Sequence, residues 1–147
     1  MLESRLPSIE ARYAHGVDGV FMLHGQRDTA ALDSVILALE KQIQSPGVKL
    51  VLLDEIGGIE LTSRVFMGTL EQILSSGVLC FGVFKSKENL ERAAKSFKLG
   101  REIFGLHALL ETRILAGGEI ITVTEENRSK TLERLKTAAE KIIYSER

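Results

Sequence analysis

The chain has no tryptophan, one cysteine, two prolines and only 5% aromatic residues. Without large aromatics, the core of these 147 residues has to be aliphatic. The single thiol, Cys80, excludes an internal disulfide; it lies in an apolar run and is expected as a buried, inert group. No apolar run approaches the length of about 18 residues that spans a bilayer. The first residues, MLESRLPSIEARYAHG, lack the apolar core of a signal peptide. These absences predict a soluble, cytoplasmic protein with no membrane partner. An excess of either charge is also missing. The formal net charge of −1 and the isoelectric point near 6.3 give no general pull toward polyanions, so no nucleic-acid partner is expected. His15, His24 and His107 are scattered, with no Cys/His cluster around any of them, which argues against zinc. No G-x-S-x-G nucleophile elbow occurs.

What is present suits one globular domain over residues 1–147. Apolar residues make up 44% and charged residues 27%. The stretch that organises the chain is Val48-Lys49-Leu50-Val51-Leu52-Leu53-Asp54-Glu55-Ile56-Gly57-Gly58-Ile59-Glu60-Leu61. Residues 50–53 are apolar at every position, as in a strand covered on both faces of a parallel sheet. Two adjacent carboxylates follow, and then a glycine pair that turns the chain. In open α/β sheets, ligands bind outside the carboxyl ends of the strands. Either Asp54 caps the following turn and Glu55 sits in solvent, or the two acids are placed for metal-ion or water chemistry. The longer string favours the second, in the pattern of a Walker B strand. There the Asp holds Mg²⁺ and the next Glu orients or deprotonates the attacking water.

The rest of the chain alternates strand and helix patterns. Residues 17–23 read as a strand and residues 24–29 as the turn after it. Leu32, Val35, Ile36, Leu39 and Ile43 form one helical face, stopped by Ser45-Pro46-Gly47. Residues 17–53 would then form a βαβ unit with two parallel strands. Ser63 is the expected N-cap of a helix with Phe66, Leu70, Ile73 and Leu74 inside. Residues 78–84 read as a third strand, in which Gly82 signals a close approach. Residues 87–115 are helical by pattern, with breaks expected at Gly100 and Gly105. Residues 120–123 read as a fourth strand, and Thr124 as the cap of a last helix carrying Leu132, Leu135, Ala139, Ile142 and Ile143 on one side. The sum is an α/β, three-layer domain: a mainly parallel sheet of about four strands flanked by helices. Lys85, Lys87, Arg92, Lys95, Lys98 and Arg101 cluster after the third strand. They suit either a phosphate-facing lid or a solvated helix face.

Two strings in this pattern resemble a known family. Asp54-Glu55-Ile56-Gly57, with Glu60-Leu61, Ser63 and Phe66, resembles the DEIG-x-x-E-L-x-S-x-x-F signature of the P-loop nucleoside triphosphatases first described from thermophiles. Val123-Thr124-Glu125-Glu126-Asn127-Arg128 resembles that family's late V-T-x-x-N-R segment. The resemblance covers residues 45–85 well and 119–135 moderately, and it implies a P-loop-NTPase-like fold. It also implies Mg²⁺ on Asp54, water positioned by Glu55, support from Gly57 and Glu60, and a nucleotide contact by Asn127 and Arg128; read from the residues alone, Arg128 equally suits an ion pair with a Glu of its own helix. One departure stands against it: no Gly-Lys-Ser or Gly-Lys-Thr occurs anywhere, so the G-x-x-x-x-G-K-[ST] phosphate loop is missing. The chain is expected to start after that loop or to have replaced it.

Two readings of residues 24–29 stay open. Gly25, Arg27 and Thr29 form a degenerate phosphate site at a helix N-terminus, or the segment is a plain turn capped by Asp28 or Thr29. The functional expectation follows from these parts. It is a nucleoside triphosphatase-like protein with Mg²⁺-dependent nucleotide binding, its hydrolysis impaired by the missing loop. The alternative is a non-catalytic descendant acting as an interaction module. Such a module would form a homo-oligomer. A third reading is one half of a split enzyme, with a partner chain supplying the phosphate loop.

Overall fold

The computed structural model describes residues 22–23, 26–27 and 29–144. In chain order the elements are β1 (Met22–Leu23), β2 (Gln26–Arg27), α1 (Thr29–Ile43), β3 (Leu50–Ile56), a 3₁₀ turn (Ile59–Thr62), α2 (Arg64–Ser75), β4 (Leu79–Phe84), α3 (Lys87–Ser96), α4 (Glu102–Gly117) and α5 (Arg128–Ile143). The protein is an α/β structure whose central feature is a parallel pair, β3 beside β4, flanked by helices.

Local chemistry explains where the helices start and stop. Helix α1 ends just before Ser45-Pro46-Gly47, since proline cannot continue the ladder and glycine relaxes the backbone. Ser63 caps α2 as expected: its hydroxyl accepts the Phe66 N–H at 2.9 Å. The same hydroxyl donates to Asp33 Oδ1 at 2.5 Å and so ties α2 to α1. Ser86 caps α3 in the same way, accepting the Asn89 N–H.

The core gathers Leu32 and Ile36 of α1, Ile56 of β3, Leu61, Phe66 and Leu70 around α2, Leu90 and Ala94 of α3, and Ile103 and Leu110 of α4. It is aliphatic apart from Phe66, as the scarcity of aromatics requires. Gly82 sits opposite Leu53 in the parallel ladder, and a Cβ there would lie 3.0 Å from the Leu53 carbonyl oxygen, so the expected close approach is present.

Several expectations are corrected. The sheet is not a single array of four strands among the described residues. Residues 22–23 pair antiparallel with residues 26–27, inside the segment expected to be a turn, and not alongside β3. Residues 17–21 of the expected first strand lie outside the described residues. Residues 120–123 form no strand; the chain turns there instead, with the Thr122 carbonyl accepting from Asn127 Nδ2 and the N–H of Thr124, just past the segment, donating to Asn127 Oδ1.

That turn also displaces the start of α5. Asn127, not Thr124, stands at the cap position, and Glu125 and Glu126 precede the helix. Gly100 lies in the break between α3 and α4, but Gly105 is inside α4 and does not interrupt it. The chain turns at Lys98, which takes a positive φ of 51°. The strands are not covered on both faces by described residues: Leu52 is 63% exposed and Val83 55%. Cys80 is half-buried, not fully buried. Helix α5 lies against β3 and β4, yet Leu132, Leu135, Ile142 and Ile143 keep much of their surface open.

Candidate functional site

The candidate site is the carboxyl end of β3 and the turn after it. The strand does not stop at Leu53. It runs through Asp54 and Glu55 to Ile56, with a register shift against β4 between Leu53 and Ile56. The parallel pairing is prolonged by the Lys85 N–H, which donates to the Ile56 carbonyl at 2.7 Å. Both carboxylates are therefore held by sheet backbone, and both are exposed.

The glycine pair makes the turn. Gly57 has a φ of +103°, a conformation side chains avoid, and a Cβ on it would meet Phe84 Cε2 at 3.0 Å and His107 Cδ2 at 3.2 Å. Glu60 closes the turn from the 3₁₀ segment. Its Oε1 accepts the Gly57 N–H at 2.6 Å and the Gly58 N–H at 2.7 Å. Two N–H groups aimed at one point make a small anion nest, and here the chain's own carboxylate fills it.

On the β4 side, Lys85 Nζ donates to Glu55 Oε2 at 2.9 Å. His107 of α4, only 2% exposed, stacks on Phe84 with ring centroids 4.4 Å apart, and its Nε2 lies 2.7 Å from the Lys85 carbonyl. Asp54 differs from its neighbour: among the described residues its carboxylate has neither an ion-pair nor a hydrogen-bond partner.

The expected site residues are thus only partly assembled. Asp54, Glu55, Gly57 and Glu60 come together. Gly25 lies outside the described residues. Arg27 is in β2 and Thr29 is the first residue of α1, so their backbone flanks that helix N-terminus. Asn127 spends both ends of its amide inside its own turn, and Arg128 is exposed at the start of α5. No hydrogen bond or ion pair among the described residues joins these two to Asp54 or Glu55.

Two participants are not named by the motif, Lys85 as the partner of Glu55 and His107. The signal for His107 was its spacing: with Ile103 and Leu110 it falls on one helical stripe, and all three are buried.

Among the described residues no group of three His, Cys, Asp or Glu side chains is close enough to enclose a metal ion. Mg²⁺ does not need such a cage. It is commonly held by one or two carboxylates, waters and substrate phosphates. An exposed Asp54 at the end of a parallel strand, unpartnered among the described residues, fits that donor set.

Away from this edge, a shallow cavity of about 120 Å³ lies between α2 and α4, lined by Met67, Leu70, Leu74, Leu109 and Leu110 and flanked by Glu71 and Arg113. The hydrogen bond from Arg113, helped by the Ser75 hydroxyl, holds the Glu71 carboxyl below its ordinary range. No helix among the described residues is long and apolar enough to cross a membrane.

A family model described as NTPase matches residues 26–136. The chain belongs to that family of nucleoside triphosphatases. No curated protein and no solved structure matches the chain.

Proposed function

We propose that this chain binds a Mg²⁺–nucleoside triphosphate at the carboxyl edge of β3 and β4, in the manner of a nucleotide hydrolase. The observation that carries the reading is Asp54: an exposed carboxylate with no protein partner among the described residues, beside Glu55 at the end of a parallel strand. Asp54 is assigned to the metal, and the metal supplies charge neutralisation on the phosphates. Glu55 accepts a hydrogen bond from the attacking water and orients it. Gly57 and Glu60 keep the turn under both acids in shape. Arg128 is the residue of the late motif assigned to the nucleotide; Asn127 serves it indirectly by building the turn. Arg27 and Thr29, with Gly25, are assigned to a phosphate at the N-terminus of α1.

Hydrolysis is expected to be weak. A phosphate loop contributes several charge-assisted hydrogen bonds of about 1.5–3 kcal/mol each, and the sequence has no such loop. The site of action is the cytoplasm.

Calorimetric titration with ATP and GTP, with and without Mg²⁺, tests the reading. Binding that needs the metal and disappears in Asp54→Asn supports it. Absence of binding at millimolar nucleotide refutes it.

A second reading is favoured by a separate observation. Leu52 and Val83 on the strands, and Leu132 and Leu135 on α5, are exposed. A split enzyme would use such surface to receive a partner chain that carries a phosphate loop; a non-catalytic module would use it to form a homo-oligomer. That reading predicts an oligomer in which Glu55→Gln behaves as the parent does.

A further inference from the structure

We infer that Lys85 is the phosphate-binding cation of the β3–β4 edge, an assignment that rests on the nucleotide reading above. Its backbone is held on both sides. The N–H donates to the Ile56 carbonyl at 2.7 Å, and the carbonyl lies 2.7 Å from Nε2 of the buried His107. Its side chain passes beside Gly58. A Cβ on that glycine would come within 2.8 Å of Lys85 Cε, so the end of the lysine stem runs close over the glycine and would have to shift if a side chain were added there.

The head group is placed as well. The Lys85 side chain is 18% exposed, and its Nζ lies 2.9 Å from Oε2 of Glu55, which is 41% exposed. An ammonium carries three donors. Among the described residues Glu55 is the acceptor that Lys85 Nζ bonds, which leaves donors for an incoming oxyanion.

These features exceed what a surface ion pair needs. Such pairs contribute little to stability and tolerate floppy geometry. Here the backbone is pinned, the stem passes close over Gly58, and the charge sits at the sheet edge where α/β ligands bind. A phosphate reaching Asp54 on β3 would meet a cation from the neighbouring strand that is already ordered, so little side-chain entropy is lost on binding. Phosphate loops place a lysine as a point charge beside the phosphates. The sequence has no such loop lysine, and Lys85 supplies that charge from the residue just after β4.

The test is calorimetric titration of MgATP and MgGTP into four proteins: the unaltered chain, Lys85→Met, Glu55→Gln, and the double variant. A lysine that touches phosphate is expected to make Lys85→Met weaken binding by about tenfold to a hundredfold in both backgrounds. Lys85→Arg, which keeps the charge, is expected to recover most of the loss. Equal affinity in Lys85→Met and the unaltered chain overturns the assignment. So does a loss that vanishes in the Glu55→Gln background, because Lys85 would then act only through Glu55. If Lys85→Met does not fold, Lys85→Gln against Lys85→Arg makes the same comparison, and equal affinities there overturn it too. Failure of the unaltered chain to bind either nucleotide refutes the nucleotide reading, and the assignment with it. Binding that survives Lys85→Met unchanged removes only the role of the lysine.

Discussion

Glu60 offers the sharpest check on the architecture of the candidate site. One oxygen of its carboxylate takes both N–H groups of the glycine pair, at 2.6 and 2.7 Å. Gly57 and Gly58 are buried, so Glu60→Ala leaves two N–H groups with poor access to water. A hydrogen bond to a charged acceptor contributes about 1.5–3 kcal/mol. Because the two bonds share one oxygen, they do not add in full. The expected loss for Glu60→Ala is about 2–4 kcal/mol of folding stability. Glu60→Gln keeps an acceptor of the same shape without the charge. Neutral bonds are roughly half as strong, so its expected loss is about 1–2 kcal/mol. Urea unfolding followed by circular dichroism at 222 nm measures both, with the slope m unchanged if the transition stays two-state. A Glu60→Ala protein within about 0.5 kcal/mol of the parent would refute the reasoning, since that is the scatter of unremarkable surface changes. A Glu60→Gln protein as unstable as Glu60→Ala would show that charge alone, and not the nest geometry, holds the turn.

Gly57→Ala is expected to lose at least about 1–3 kcal/mol from its positive φ alone, with crowding against Phe84 and His107 in addition. Gly68→Ala, in the interior of α2 with open space around it, is expected to gain about 0.4–1 kcal/mol in the same urea assay. Ser63→Ala removes both the α2 cap and the tie to Asp33, for a loss of about 1–3 kcal/mol; a midpoint unchanged from the parent would contradict the bonding described. Burial pushes the Cys80 thiol up. A raised value leaves less thiolate at any given pH, so alkylation by iodoacetamide is expected to follow a rate profile displaced to higher pH than that of a small free thiol, and urea unfolding should abolish the displacement.

Much of the helical framework was legible in the sequence because it depends on local rules. The apolar stripe of α1, the serine cap of α2 and the stop at Ser45-Pro46-Gly47 each need only a few neighbouring residues. The two carboxylates followed by a glycine pair could also be read directly, because residue order alone puts acids at a strand end and a turn after them. The strand count was less legible. Residues 120–123 have strand-like chemistry, but whether they pair depends on a neighbour distant in sequence, and here Asn127 takes the Thr122 carbonyl and the Thr124 N–H into a turn. Gly105 could not be told from Gly100 by propensity, since packing carries α4 through one and not the other.

The sequence by itself determined an aliphatic α/β chain with Asp54, Glu55 and the glycine turn in fixed succession, because covalent order and local propensity are enough for that. Only the tertiary structure decided that Glu60 fills the nest of Gly57 and Gly58, that Asp54 stands without a partner among the described residues, and that Lys85 and His107 come in from β4 and α4. Those contacts bring together residues far apart in the chain, or depend on where a side chain points. No local pattern encodes them; the register of β3 against β4 and the packing of α4 beneath the turn do.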